Sequence, residues 1–458
     1  MVTGRSSGLI SLMVAETVVP GSTNPKSTVA GSALIGPGIS MLFGFTTCGC
    51  AGCRGWACCG WVCGARAGAA CDAGAAAAET ARARAETRAA DVRSMEAMIR
   101  VSRRSAAPST LGPMRAITIE RQGTPVLPNV AFVSNHPDPV AQTGEVVVRT
   151  EASALNHLDL WVGRGLPGID IRYPAISGSD GAGVVEGVGQ GVDPAWIGRR
   201  VLLNAAVPKP DPILPGARPA PADIHMIGEH GPGCLAERFT APAANLVEIG
   251  DADPVAAAAF GLTHLTAWRM MVTQAGLRAG MCVLITGIGG GVALAALAIA
   301  RHFGCETIVT SRHAWKLERA RALGASHAVL DQGQDWSREV RQLTGRRGVD
   351  LCVDSVGKAI HGPCIKSLAR GGTFATCGAT TGPDATTDLT RIFWNQLRVV
   401  GSTMGDMREF REVVSLFRSG AISPTIDRVF APSEGRDAFA RLEAGEQFGK
   451  LVVDWRKA

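Results

Sequence analysis

Met281-Cys-Val-Leu-Ile-Thr286 runs directly into Gly287-Ile-Gly289-Gly290-Gly291-Val292-Ala293. The first stretch is short and apolar throughout, as a parallel strand buried on both faces reads. A helix-like stretch, 294–301, follows the glycines. Glycines let a backbone turn sharply and approach a pyrophosphate, and the helix behind them offers unpaired N–H groups and the positive end of its dipole. Strand, glycine turn and helix in that order is the context that gives such a motif meaning. An Ala at 293 in place of the last Gly is within the fingerprint. Gly287, Gly290, Gly291 and Val292 are therefore the candidate pyrophosphate contacts.

Working outward, strand-like 306–310, 327–330, 349–353, 373–377 and 397–401 alternate with helix-like 315–323, 337–344 and 358–369. Such alternation predicts βαβ units and a doubly wound parallel sheet, a Rossmann α/β domain over about 249–404. The end of its second strand discriminates between nicotinamide cofactors. NAD domains commonly place Asp or Glu there, about 20 residues past the glycines, to hold the ribose 2′-hydroxyl. Here the strand ends in Thr310-Ser311-Arg312-His313 with Lys316 one turn on, and no carboxylate. A carboxylate repels a 2′-phosphate, whereas Ser311, Arg312 and Lys316 can bind one. NADP(H) is the favoured cofactor. The alternative is that Arg312 and Lys316 are a solvated helix start.

The chain has 458 residues, 46% apolar and 19% charged, with 56 glycines. This suits two or three domains of an α/β protein rich in turns. Its net charge of +6 is uneven: residues 1–113 hold 11 Lys/Arg against 6 Asp/Glu and seven of the thirteen cysteines. The rest is close to neutral, so no nucleic-acid partner is inferred. That tail is turn-rich and then Ala/Arg-rich low complexity, expected to be a disordered extension or upstream sequence translated from too early a start. On this reading the native protein begins at Met114, or at Met95. Cys48, Cys50, Cys53, Cys58, Cys59 and Cys63 also allow a metal or disulfide module, but they are crowded together with no His in the tail. The six later cysteines are scattered singly in apolar surroundings, which suits a reducing cytoplasm. No apolar run is long enough for a membrane span, and Glu16 interrupts the one stretch resembling a secretory signal.

Residues 114–248 read as a second, strand-rich domain, with strands near 145–149, 181–187 and 200–203 between Gly/Pro turns. From Met114 to Asp454 the chain resembles the medium-chain dehydrogenase/reductase superfamily. The resemblance rests on Ala154-Leu-Asn156-His-Leu-Asp159, Gly178-Ser-Asp-Gly-Ala-Gly183-Val-Val-Glu-Gly-Val-Gly189, Gly198-Arg-Arg-Val201, Leu265-Thr266-Ala-Trp268, the Gly287 loop, Val353-Asp-Ser-Val-Gly357 and Phe448-Gly-Lys450-Leu-Val. It implies a GroES-like partial β-barrel as catalytic domain, completed by about 405–458, and a homodimer or homotetramer joined through the Rossmann sheet edge near 397–403.

Zinc alcohol dehydrogenases of this superfamily hold a catalytic metal with Cys, His and Cys. By resemblance, Asn156, Ser179 and Leu262 stand at or near those places here, and the stretch that carries a structural zinc in relatives has no Cys. An Asn-x-x-Asp at 156–159 is what quinone-oxidoreductase-like members carry. Polarising a plain ketone needs a strong Lewis acid. Hydride addition to a quinone or enone spreads charge over a conjugated system, for which a donor such as the Asn156 amide suffices. Asn156 and Asp159 are thus the candidate catalytic residues, with Asp159 orienting its neighbours; both are equally able to satisfy backbone groups in a turn. The resemblance further implies Thr266 at the nicotinamide ribose, the backbone of Gly378 and Ala379 at the carboxamide, and Lys450 or His157 at the pyrophosphate. The only tyrosine, Tyr173, reads as packing.

The expectation is an NADPH-dependent, zinc-independent reductase of a quinone or α,β-unsaturated carbonyl, with no metal, membrane or nucleic-acid partner. Two alternatives stay open. One is an alcohol dehydrogenase whose zinc site is rebuilt from His157, His230 or His264 with Asp159, Asp180 or Glu229. The other is a non-catalytic NADP-binding redox sensor.

Overall fold

The computed structural model of the protein describes residues 112–209 and 224–457. The expectations for the tail through residue 111, its cysteine module and the start at Met95 included, lie outside the described residues, as do residues 210–223. The strands in chain order are β1 (Met114–Ile119), β2 (Val130–His136), β3 (Glu145–Ala154), β4 (Ala175–Ile176), β5 (Gly181–Val188), β6 (Arg200–Leu203), β7 (Ala206–Pro208), β8 (Ile224–Met226), β9 (Arg238–Pro242) and β10 (Leu246–Glu248). There follow β11 (Cys282–Ile285), β12 (Glu306–Ser311), β13 (His327–Leu330), β14 (Val349–Asp354), β15 (Leu368–Thr376), β16 (Arg398–Gly401), β17 (Ile426–Phe430) and β18 (Lys450–Asp454).

The glycine-turn strand is the centre of a parallel sheet ordered β13-β12-β11-β14-β15-β16. Its order reverses between β11 and β14, and ligands of such sheets bind outside the strand ends at that point. β11 is buried along its whole length, as its unbroken apolar run requires. The stretch 358–369 is not one helix. A 3₁₀ turn, Lys358–Ile360, leads into the helix His361–Ser367, and β15 already begins at Leu368. Leu368 pairs with Val349 and Thr373 with Leu351, so Arg370-Gly371-Gly372 is a bulge within the strand, with Gly371 at φ 75°.

The second sheet runs β10-β6-β5-β3-β18-β17, with β9 also beside β3. β18 pairs antiparallel with β3 and parallel with β17, so the C-terminal segment completes the GroES-like domain. β3 alternates over its first residues and is then buried from Thr150 to Ala154. That inner half lies between β5 and β18, which is why the strand outruns its alternating stretch. β1, β2 and β4 form a small antiparallel sheet apart from it.

The helix Pro254–Trp268 joins the two halves. Asp253 caps it by accepting from Val255 N (3.4 Å) and Ala256 N (3.1 Å), with Pro254 in the first turn. It is apolar nearly all round and buried nearly all round. The returning helix Met407–Arg418 buries Phe410, Val413 and Val414 and starts with a capping box, Asp406 N to Glu409 at 2.7 Å and Glu409 N to Asp406 at 2.9 Å. No helix of the described residues is long and apolar enough to cross a membrane.

Candidate active site

β3 ends at Ala154, and Leu155 N donates to Leu451 O of β18 at 2.9 Å. This bond sets Asn156, the cap of the helix His157–Arg164, beside the start of β18. Asp159 receives Asn156 N on one carboxylate oxygen and Gly178 N on the other, each at 2.7 Å. Burial raises its pKa to about 6, even though those N–H groups, the Ser177 hydroxyl and the Lys450 charge lower it. Asp159 thus ties the Asn156 corner to the Gly178 loop and does not face the cleft.

The Gly178 loop delivers Asp180, which is fully buried. Its Oδ2 accepts from Asn156 Nδ2 and Lys450 Nζ, both at 2.8 Å, and its Oδ1 accepts from Leu262 N at 2.6 Å. Lys450 Nζ also donates to Asn156 Oδ1 at 2.6 Å. A Cβ at Gly261 would lie 2.5 Å from Asp180 Oδ1, so only glycine lets the helix approach this carboxylate. Amide, carboxylate and ammonium form one closed, charge-balanced network joining β3, the Gly178 loop and β18.

The histidines do not converge. His264 stacks on Phe260 (centroids 3.9 Å apart), its Nδ1 lies 2.9 Å from Phe260 O, and burial pushes its pKa down to about 3, leaving it neutral. His230 Nδ1 accepts from Met226 N at 3.1 Å beside His225. His157 faces the cleft, with Nε2 buried and unpartnered, and burial lowers its pKa. Ser179 donates to Ile227 O at 2.7 Å. Among the described residues no three His, Cys, Asp or Glu side chains group to hold a metal ion. Tyr173 donates to Val162 O at 2.5 Å.

A cleft of about 590 Å³ brings together Asn156, Thr266, Gly287, Gly290, Gly291, Val292, Ser311, Arg312, Lys316, Gly378 and Lys450. Of the expected site residues, Asp159 and Ala379 do not line it. Ala379 packs under the turn at Gly357, where a Cβ would lie 2.8 Å from its Cα. Gly290 caps the helix Gly291–His302, whose first N–H groups have no helical acceptor. Gly289 has φ 112°, and a Cβ there would lie 2.7 Å from Lys316 Cδ. Arg312 is exposed, whereas Lys316 is buried and donates to Gly445 O at 2.7 Å. Thr266 donates to Leu262 O at 2.8 Å.

Two features of the site escape the sequence reading. Asp331, one residue past β13, reaches the rim as a carboxylate, with its N–H on Ser311 O at 2.9 Å. Its position after a parallel strand was the available signal. Asp180 reads from the sequence only as a possible metal ligand, and nothing local reveals that a lysine 270 positions away neutralises it.

Residues 142–251 match the alcohol dehydrogenase GroES-like domain family and residues 291–419 the zinc-binding dehydrogenase family. The zinc-type alcohol dehydrogenase-like protein YogA of Leptosphaeria maculans is 30% identical over 332 residues, 69% of this chain and 92% of that protein. The synaptic vesicle membrane protein VAT-1 homolog of Rattus norvegicus is 26% identical over 343 residues, 69% of this chain and 78% of that protein. Among solved structures, an NAD-dependent alcohol dehydrogenase superimposes with a TM-score of 0.67 at 35% identity, over 74% of this chain and 99% of that one. A GroES-like domain completed by its C-terminal strand, a Rossmann sheet inserted within it and these matches together make the chain a member of the medium-chain dehydrogenase/reductase superfamily of oxidoreductases.

Proposed function

We propose that the protein is an NADPH-dependent reductase of quinones or α,β-unsaturated carbonyls that works without zinc. The observation that carries this reading is the Asn156–Asp180–Lys450 network. A catalytic zinc needs three thiolate, imidazole or carboxylate donors with a position left open. Asn156, Ser179 and Leu262 offer an amide, a hydroxyl already spent on Ile227 O, and an aliphatic chain. Asp180, the carboxylate that follows Ser179, is paired with an ammonium. This donor set does not fit zinc.

The residues do fit a nicotinamide dinucleotide. The N–H groups of Gly291 and Val292, and the unpartnered His157 Nε2, suit a pyrophosphate. Thr266 suits the adjoining ribose, and the backbone of Gly378 the carboxamide. Ser311, Arg312 and Lys316 suit a 2′-phosphate. The bound cofactor supplies a hydride. The chain's own part is to orient an acceptor and hold the charge its oxygen gains. Trp161, Met226 and Leu262 give the cleft an apolar wall that suits a conjugated ring.

NAD as cofactor is the second reading, favoured by Asp331 at the rim and by the NAD-dependent alcohol dehydrogenase at 35% identity. Initial rates with NADPH and NADH against 1,4-benzoquinone and 2-cyclohexenone, with metal analysis of the purified protein, test both. The proposal expects turnover with NADPH by metal-free protein. One tightly bound zinc per chain, or a preference for NADH, overturns the corresponding part.

A further inference from the structure

We propose that the Lys450 ammonium is the catalytic electrophile, donating a hydrogen bond to the substrate's carbonyl oxygen where zinc-dependent relatives use a metal. The inference rests on the carbonyl or quinone reading above. Lys450 opens β18, and its side chain passes the glycine turn so closely that a Cβ on Gly291 would lie 3.1 Å from its Cδ. Lys450 lines the same cleft as Asn156, and its side chain is 4% exposed.

An ammonium has three donors. Asn156 Oδ1 and Asp180 Oδ2 take two of them, and the third has no protein acceptor among the described residues. The buried carboxylate balances the charge, and Leu262 N and Asn156 Nδ2 hold that carboxylate in place. The result is a fixed, desolvated cation with one N–H unspent. Such preorganised donors stabilise oxyanions most, because nothing needs to reorient as charge develops.

The chemistry balances without a proton leaving the lysine. Hydride joins the β-carbon of an enone, the C=C pair moves toward the carbonyl, and the oxygen gains the negative charge that Lys450 holds. Water then protonates the α-carbon and leaves as hydroxide, so the two electrons that the hydride carried end in the new C–H bond. The competing use of the third N–H is a pyrophosphate oxygen of the cofactor.

Two readouts separate these uses. In cofactor-free protein, p-nitrophenol serves as an oxyanion probe whose phenolate absorbs visibly. The wild type is expected to bind it ionised at a pH where the free phenol is largely neutral. Lys450→Met is expected to abolish that ionisation and Lys450→Arg to retain it. With 2-cyclohexenone, Lys450→Met is expected to lower kcat by about 10²–10³, as loss of one oxyanion donor does. NADPH affinity, read by nicotinamide fluorescence, is expected to stay within about threefold, well under the tenfold that 1.4 kcal/mol represents. Should the unpaired carboxylate unfold Lys450→Met, Asp180→Asn/Lys450→Met removes both charges and takes its place. Unchanged probe ionisation overturns the proposal, as does a loss confined to NADPH affinity. If no quinone or enone is reduced by the wild type, the function reading fails while the phenol titration still decides the role of Lys450.

Discussion

Replacing Asp180 with Ala removes the anion from a network in which no member is more than 8% exposed. At the 2.8 Å separation of Asp180 and Lys450, Coulomb attraction with an effective dielectric of about 20 is about 6 kcal/mol. Desolvation of both ions consumes much of that, so the intact pair contributes little net stability. Removing one ion is different, because the survivor stays buried and uncompensated, at a cost of about 3–5 kcal/mol. Asp180→Ala also orphans Leu262 N and Asn156 Nδ2, whereas Lys450→Met leaves the carboxylate its two N–H donors without a counter-ion and orphans one amide oxygen. Each single variant is therefore expected to lose about 3–5 kcal/mol, with Asp180→Ala at the upper end. The double variant is expected to lose less than the sum by at least about 2 kcal/mol, because coupling of this size is what contacting charges show. Urea unfolding followed by tryptophan fluorescence on the four proteins reads all three terms. Additive losses, or a single-variant loss below about 1 kcal/mol, would refute the idea that these two groups compensate each other in the folded state.

Three further outcomes follow from other parts of the structure. Arg312→Glu is expected to weaken NADPH binding about tenfold or more, the worth of one charge-assisted hydrogen bond, while leaving NADH nearly unaffected; equal loss for both cofactors removes Arg312 from 2′-phosphate recognition. His264, with a folded pKa of about 3, contributes stability that is complete above its unfolded value near 6.5 and is lost as pH falls toward 3. Asp159, raised to about 6, works in the opposite sense below pH 6, so the wild type minus His264→Leu difference is the quantity to follow. Between pH 6.5 and 4.5 that difference is expected to shrink by about 2 kcal/mol, and a flat difference contradicts a buried neutral imidazole. Leu389, Phe393 and Trp394 expose 66–70% of their surface beside the edge strand β16, whose Val399 is 50% exposed. Phe393→Glu/Trp394→Glu is expected to convert a dimer into monomers by light scattering, and an unchanged mass places the interface elsewhere.

The parts legible in the sequence are those whose signal is local. Cys282–Ile285, the glycines and the following helix carry their strand, turn and helix character within a dozen residues, and the αβ alternation repeats it. The β15 boundary is hidden because Gly371 and Gly372 look like a turn, whereas they form a bulge while Leu368 already pairs with Val349. The inner half of β3 was missed because burial on both faces erases alternation. At the site, sequence picked out Asn156 and Lys450 by family position, but their roles depend on one contact. Asp180 lies 24 positions from Asn156 and 270 from Lys450. Only the insertion of β18 beside β3 brings the three together.

On the proposed reading a fixed organic cation, and not a metal, activates the acceptor. The most direct test is the initial rate of NADPH oxidation with 2-cyclohexenone or 1,4-benzoquinone before and after exhaustive chelation. The rate is expected to be unchanged by chelation and by added zinc. A rate abolished by chelation and restored by zinc would contradict it.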